Sequence, residues 1–401
     1  MENKKGKLGS RLAGSEAFLS VAASLICIVI GLLLGLVVLA IINAEHAFGD
    51  GLLVILKSGF KSPRNMGTVL ANAAPLIMTG LSVGFAFKTG LFNIGAAGQY
   101  TLGAFGALYC AIVLQWPWYL CLLAAMLFGA IWGALPGIFK AYLNINEVIA
   151  CIMTNWIAAN IVTWLFDISN LKNMVENTKS GYIYKTTFNN VATSKFGLDK
   201  LFPGSQVSGG ILIAIALAIV IYIVLTKTTF GYELRACGAN RHAARYAGIH
   251  DKRNIVLSMA IAGALAGAAG SLYYLAGNTE FYWNTYQTLP AAGFNGIAVA
   301  LLAVNNPIAV IFTGCFMSIL DIAGMQITNL TAYNEYITDV IIAVIVYMAA
   351  FSLVIKMWIS GRKKKKPAHT ETAESTAEPA VPQDETGAGV LPAAEGKEAQ
   401  E

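Results

Sequence analysis

Apolar blocks of about 20 residues recur along this 401-residue chain, the length a helix needs to cross some 30 Å of hydrocarbon. Hydrophobic residues make up 56 % of the chain and charged ones 12 %, against roughly 45–50 % and 25 % in a soluble domain. The blocks are therefore membrane spans and not the core of a soluble fold. They fall near 18–42, 68–87, 94–114, 118–139, 146–166, 209–226, 254–275, 289–304, 307–327 and 337–357. This predicts an all-α, polytopic membrane helix bundle of about ten transmembrane helices. The eighth block is short, and the first, with 25 apolar residues, exceeds the roughly 7–15 of a signal-peptide core and reads as a retained anchor.

Lysine and arginine resist transfer across the membrane and so report orientation. With the N-terminus inside, ten spans leave 19 of these residues on the cytoplasmic side and 8 outside. Both termini are then expected in the cytoplasm. The expected organisation is a cytoplasmic N-terminus (1–17), a transmembrane domain (18–357) with an external loop at 168–208 and a cytoplasmic loop at 228–253, and a final segment (358–401). Arg362–Lys366, directly after the last span, reads as a stop signal that meets anionic lipid headgroups, not nucleic acid. Pro367–Glu401 holds 8 acids, 1 lysine and almost no aromatics, a composition that does not offset the entropy of folding. Without it the net charge of +5 becomes +12.

Cys27, Cys110, Cys121, Cys151 and Cys315 lie inside apolar runs and Cys237 in a basic loop, and the four histidines are scattered. None has metal-ligand spacing, so the cysteines read as small packing residues and no metal or haem site is expected. Glycines recur four apart, at Gly31 and Gly35, at Gly129, Gly133 and Gly137, and at Gly263 and Gly267. That spacing lets helix backbones approach closely.

Two stretches are richer in polar residues. Lys88–Leu108 combines Asn93 and Gln99 with five glycines, and glycine at this density lets a helix break where it meets protein or a wet cavity. Thr288–Pro307 repeats the pattern weakly, which points to an internal repeat. Intramembrane polar residues face a bundle interior or a cavity. Here they include Asn72, Asn93, Gln99, Glu147, Asn155, Asn160, Asn295, Asp321 and Gln326. Amides outnumber acids, which suits a neutral, hydrogen-bonding solute, although amides also join helices. Glu147, near the inner end of its span, fits an interfacial role equally well. Phe281, Tyr282, Trp283 and Tyr286 read as an interfacial aromatic belt.

The segment Thr228–Arg253 is too polar to cross and too long for a turn. Asn240 is placed to N-cap a short surface helix, Arg241–Ala247 to form it, and Gly248 to end it. Arg241 and Arg245 share one edge, while Ala239, Ala243 and Ala247 make a small, flat stripe. Docking of a partner and simple retention of a basic loop both fit.

Five segments, GLFNIGAAGQ (90–99), LNINEVIACIMTNWIA (143–158), GYELRACGANRHAARYAGI (231–249), AGALAGAAGSL (262–272) and GFNGIAVALLA (293–303), resemble the permease family of ABC importers for branched-chain amino acids, simple sugars and nucleosides. The likeness is to the nucleoside and simple-sugar branch and covers about residues 65–350. It implies that 231–249 contains a helix that couples to an ATPase subunit through Glu233, Arg235, Gly238, Ala239, Asn240, Ala243 and Tyr246. It also implies that the 93–99 and 293–300 stretches border the path. Together with the polar residues of the spans, the expected path residues are Asn72, Asn93, Gln99, Glu147, Asn155, Asn295 and Gln326.

The expected function is a non-catalytic permease subunit in the bacterial cytoplasmic membrane, translocating a purine nucleoside, with a simple sugar such as ribose as the alternative. Its implied partners are an ABC ATPase, a second permease subunit, homologous or identical, and an extracytoplasmic substrate-binding protein docking on 169–209. The chain has no GxxxxGK[ST] phosphate loop, so ATP and Mg belong to the partner ATPase and no cofactor is expected on this chain. Asp321 and Cys237 depart from the family pattern. An ion-driven secondary transporter would need acids deep in the bundle, which only Asp321 clearly supplies. An intramembrane enzyme would need a nucleophile or metal-ligand set that the spans lack.

Overall fold

The computed structural model describes residues 16–168, 191–276, 288–330 and 336–349, with a few positions between 351 and 358. The segment 169–190, the aromatic group at 281–286, the run Arg362–Lys366 and the tail Pro367–Glu401 lie outside the described residues. A helix stands at each of the ten expected spans. These are α1 (Glu16–Ile42), α3 (Pro63–Lys88), α4 (Ala96–Ile112), α5 (Trp118–Leu143), α6 (Glu147–Ile168), α8 (Gly210–Lys227), α11 (Asp251–Tyr274), α12 (Ala291–Leu302), α13 (Pro307–Leu330) and α14 (Tyr336–Ala349). Short helices α2 (Val54–Ser58), α7 (Leu198–Leu201), α9 (Thr229–Ala239) and α10 (Arg241–Tyr246) sit between them, and a π-helical turn, Ala47–Leu53, leads into α2.

Seven of these helices, α1, α3, α5, α6, α8, α11 and α13, contain a stretch long and apolar enough to cross a membrane. The eighth expected span is shorter than its apolar block: α12 has 12 residues, about 18 Å at 1.5 Å per residue. It stops in a turn, Ala303–Asn306, where Val304 and Asn305 take φ of 51° and 54°. Pro307 then opens α13. Two consecutive left-handed residues cannot continue a right-handed helix, so α12 is a half-span.

Local chemistry sets the other ends. Ser62 caps α3 by accepting from the Asn65 backbone N–H at 3.2 Å, with Pro63 at the first position. Asn144, left-handed at φ 51°, closes α5.

The bundle is built around α3 and α11, whose apolar windows are 83 % and 72 % buried, against 28 % for α5 and 33 % for α8. Their glycines explain the depth. A Cβ on Gly129 of α5 would lie 2.2 Å from the Gly263 carbonyl oxygen of α11, and one on Gly103 of α4 would lie 2.2 Å from the Gly267 Cα. Three helices therefore meet backbone to backbone along one seam, as close packing in lipid requires. Gly31 and Gly35 let α1 seat the Ile345 and Ile341 side chains of α14.

The two glycine-rich stretches occupy exchanged positions. The helix α4 follows α3 in the chain but packs on α11, where Gly270 lies against Tyr100 and Ala104. The helix α12 follows α11 but packs on α3, where Gly296 meets Thr79 and Gly80 meets Val299. Each central helix carries the shorter helix that follows the other central helix.

Candidate functional site

Three polar assemblies lie along this bundle: a buried amide cluster, a cavity, and the segment 228–253.

The amide cluster forms where α3 stops and α4 starts. After Lys88 the chain turns through Gly90 (φ 75°) and runs non-helically to Gly95. Asn93 and Gln99 close this break on each other: the Asn93 amide donates to Gln99 Oε1 at 2.8 Å, and the Gln99 amide donates back to Asn93 Oδ1 at 3.1 Å. Asn93 also donates to Ser82 Oγ at 3.2 Å. Asn155 of α6 reaches across, accepting from the Gly98 N–H at 2.8 Å and donating to the Ile94 carbonyl at 3.0 Å. It thus satisfies one of the orphan N–H groups that open α4. All three amides are buried. Their hydrogen-bonding capacity is directed into the protein, and they hold the broken helix.

The cavity, of about 550 Å³, lies among α3, α4, α11, α12, α13 and α14, with Tyr273 and Tyr274 at the end of α11 opposite Asp251. Asn72, Asn295, Asp321 and Asp339 line it together with Tyr100, Tyr273 and Tyr274. Asn72, Asn295, Asp321 and Asp339 make no hydrogen bond or ion pair with the protein among the described residues. The tyrosine rings form a graded cluster, with Tyr273 and Tyr274 edge to face at 5.0 Å and Tyr100 6.3 Å from Tyr274. Pro290, Ala291 and Ala292, the N-terminal end of the half-span α12, complete the wall.

The structure thus divides the expected path residues. Asn72 and Asn295 share the cavity, and Asn93, Gln99 and Asn155 share the amide cluster, whose Gln99 directly precedes Tyr100. Glu147 pairs with Lys140 at 2.8 Å across the α5–α6 connection, the interfacial alternative. Gln326 lines a separate hollow of about 460 Å³ with Leu53, Val54 and Lys57, and its Oε1 is buried without a partner among the described residues. Asn160 is exposed on α6 and donates to the Trp156 carbonyl of its own helix at 2.8 Å. Sequence reasoning did not assign Tyr100, Tyr273, Tyr274 and Asp339 to the site. Their signals were available: a tyrosine directly after Gln99, a tyrosine pair ending one span, and an acid opening another.

The segment 228–253 folds as two helices, not one. Thr228 caps α9 by accepting from the Gly231 N–H at 3.0 Å, and Asn240 caps α10 by accepting from the Ala243 N–H at 3.0 Å. Gly248 (φ 82°) ends α10, with the Ile249 N–H returning to the Ala244 carbonyl at 3.1 Å. Ala239, Ala243 and Ala247 are exposed, Ala244 is buried, and Tyr246 is 95 % exposed. Beside them an open hollow of about 700 Å³ is lined by Tyr142, Arg245, His250, Lys252 and Arg253.

Two other expected contact residues, Glu233 and Gly238, turn inward. Glu233 accepts from Arg253 at 3.2 Å and from Asn254 at 3.1 Å, and Arg241 pairs with Asp251 at 2.6 Å. Gly238 lies on the turn after α3: a Cβ there would be 2.7 Å from the Thr89 carbonyl carbon. Arg235 is exposed. Burial pushes the Cys237 thiol above its ordinary value, and the thiol accepts from Asn254 at 3.8 Å. Among the described residues no group of three or more His, Cys, Asp or Glu is arranged to hold a metal.

Residues 65–350 match the model of a family described as branched-chain amino acid transport system / permease component. The chain is 34 % identical to the guanosine ABC transporter permease protein of Bacillus subtilis, over 86 % of this chain and 97 % of that protein. It is 34 % identical to the nucleoside ABC transporter permease protein of Lactococcus lactis, over 86 % and 95 %. It is 28 % identical to the glucose ABC transporter permease protein of Haloferax volcanii, over 90 % and 95 %. No solved structure matches the chain.

Proposed function

The chain belongs to the family of branched-chain amino acid transport permease components, and on that premise we propose that it forms the membrane path of an ATP-binding cassette importer for nucleosides, purine nucleosides first. The observation that carries this reading is the 34 % identity to the guanosine permease over 97 % of that protein. The cavity agrees with it in chemistry. Its amides and carboxylates offer hydrogen bonds, its tyrosines offer aromatic faces, and no lysine, arginine or histidine is among its described lining residues. A neutral base joined to a polyol sugar meets both kinds of wall.

In this reading the chain hydrolyses no nucleotide, and work arrives from an ATPase subunit. The exposed alanine stripe, Tyr246 and the neighbouring hollow form the docking face. Glu233, Arg241 and Gly238 have a different part: they fasten the docking helices to the bundle. Gly238 rests on the Thr89–Gly90 turn, and Thr89 hydrogen-bonds Ser258 of α11. That turn leads through Asn93 and Gln99 into α4 and so to Tyr100 in the cavity wall. A push on α10 thus has a continuous packed route to the cavity, and alternation of access follows as a rigid-body rearrangement. A second permease subunit and an extracytoplasmic binding protein complete the importer, with the cavity opening toward the binding protein.

Uptake of labelled guanosine, ribose and leucine in cells expressing the complete importer tests the substrate. Guanosine uptake, competed by other nucleosides and not by leucine, is the expected result. Ribose or leucine uptake without guanosine uptake would overturn the reading.

A further inference from the structure

The cavity holds two carboxylates that the transport reading does not by itself explain. Asp321 lies on α13 and Asp339 near the start of α14, and both line the same 550 Å³ space as Asn72 and Asn295. A carboxylate within a membrane protein is costly and is ordinarily met by a cation or by hydrogen-bond donors. Among the described residues lining this cavity there is no lysine, arginine or histidine. Neither aspartate has a hydrogen bond or ion pair with the protein among the described residues. Their acceptor oxygens are therefore directed to whatever enters.

Ionised carboxylates only accept hydrogen bonds. A solute fitting this wall must bring donors, and it must not bring negative charge, because two carboxylates without a counter-cation repel an anion. A phosphorylated solute is excluded on that ground. A nucleoside has two kinds of donor, those on its base and the hydroxyls of its sugar. The base donors differ from one nucleoside to the next, whereas the vicinal hydroxyl pair of ribose is common to all of them and presents two O–H groups at fixed spacing. The three tyrosines and Pro75 and Pro290 supply flat apolar surface for the base.

We propose that Asp321 and Asp339 are the specificity-determining residues of this cavity, accepting hydrogen bonds from the vicinal ribose hydroxyls of an unphosphorylated nucleoside. The assignment rests on the nucleoside reading above and deepens it. It also accounts for Asp321, the one deep acid that would otherwise favour an ion-driven transporter: its role is to hold solute, not to carry a proton or a sodium ion.

A cycle of solute and side-chain changes tests this. The complete importer is expressed in cells without other nucleoside uptake. Initial uptake of labelled guanosine and 2′,3′-dideoxyguanosine is then measured at saturating concentration for the wild type, Asp321→Asn, Asp339→Asn and the double variant. The same binding protein serves all four permeases, so its own preference cancels when the guanosine-to-dideoxyguanosine ratio is compared between them. Hydrogen bonds to charged groups set the expected size: the ratio is higher in the wild type than in the double variant by on the order of tenfold or more, with each single variant between them. Recovery of each variant with its ATPase subunit controls for folding. A double variant that transports at the wild-type ratio overturns the assignment and leaves the nucleoside reading standing. Failure of the wild type to take up either solute overturns both.

Discussion

Asn155 donates to the Ile94 carbonyl and accepts from the Gly98 N–H, so one side chain ties both edges of the break before α4. Replacing it by Leu leaves a buried N–H and a buried carbonyl unpaired, which costs about 1–3 kcal/mol each. The Asn155→Leu permease is expected to melt several degrees below the wild type in a nanodisc thermal scan; an unchanged melting point would contradict the structural role. Asn72 has no such bond, and Asn72→Leu is expected to leave the melting point unchanged while reducing uptake. Cys237 gives a prediction in pH. Because burial raises its pKa, its thiolate fraction at neutral pH lies below that of a free thiol. Its maleimide labelling is therefore expected to be slow near pH 7 and to rise with pH beyond the range where an ordinary thiol saturates, as read by mass spectrometry of the labelled peptide. At this scale the sequence named the right residue types but not their partners. Asn93, Gln99 and Asn155 were recognisable as intramembrane amides, and nothing in their spacing said that 57 residues of chain would fold back to join Asn155 to Gly98.

Between elements, the seam of α5 with α11 is a backbone-to-backbone contact. A side chain at Gly263 meets the Gly129 carbonyl oxygen at 2.2 Å, whereas Gly49 has nothing within 4 Å of a Cβ. Gly263→Val is expected to abolish recovery of folded permease and Gly49→Ala to leave it unchanged, as judged by size-exclusion profiles of the membrane extract. The docking helices carry the matching functional prediction. Asn240→Glu with Ala243→Glu removes the α10 cap, worth about 1 kcal/mol, and places two acids on the docking face. Co-purification of the ATPase and solute uptake are expected to fall at least tenfold while the melting point of the bundle holds; unchanged recovery of the ATPase would count against this face. Helix existence was readable from apolar length alone, because lipid forces every spanning backbone to bond within itself. The half-span α12 and the helix α9 were not. The first is ended by two left-handed residues in a turn rather than by a change in polarity, and the second is a polar helix held by Thr228 and by its contacts to Asp251–Tyr274.

Across the whole molecule, the described residues place the exposed helices α9 and α10 at one end, a cavity at the other, and a packed line from Gly238 through Gly90, Asn93 and Gln99 to Tyr100 between them. The order of these parts was legible in the five family-like segments. The cavity was not, because its wall draws one to three residues from each of six helices whose packing no local pattern encodes. The account as a whole claims that this chain moves solute only when another subunit does work on α10. Concentrative uptake of labelled guanosine is therefore to be measured in proteoliposomes, with this chain alone and with its ATPase, second permease and binding protein, each with and without ATP. Accumulation above the external concentration is predicted only for the complete importer with ATP. Accumulation by the chain alone, or by the complete importer without nucleotide, would contradict the account.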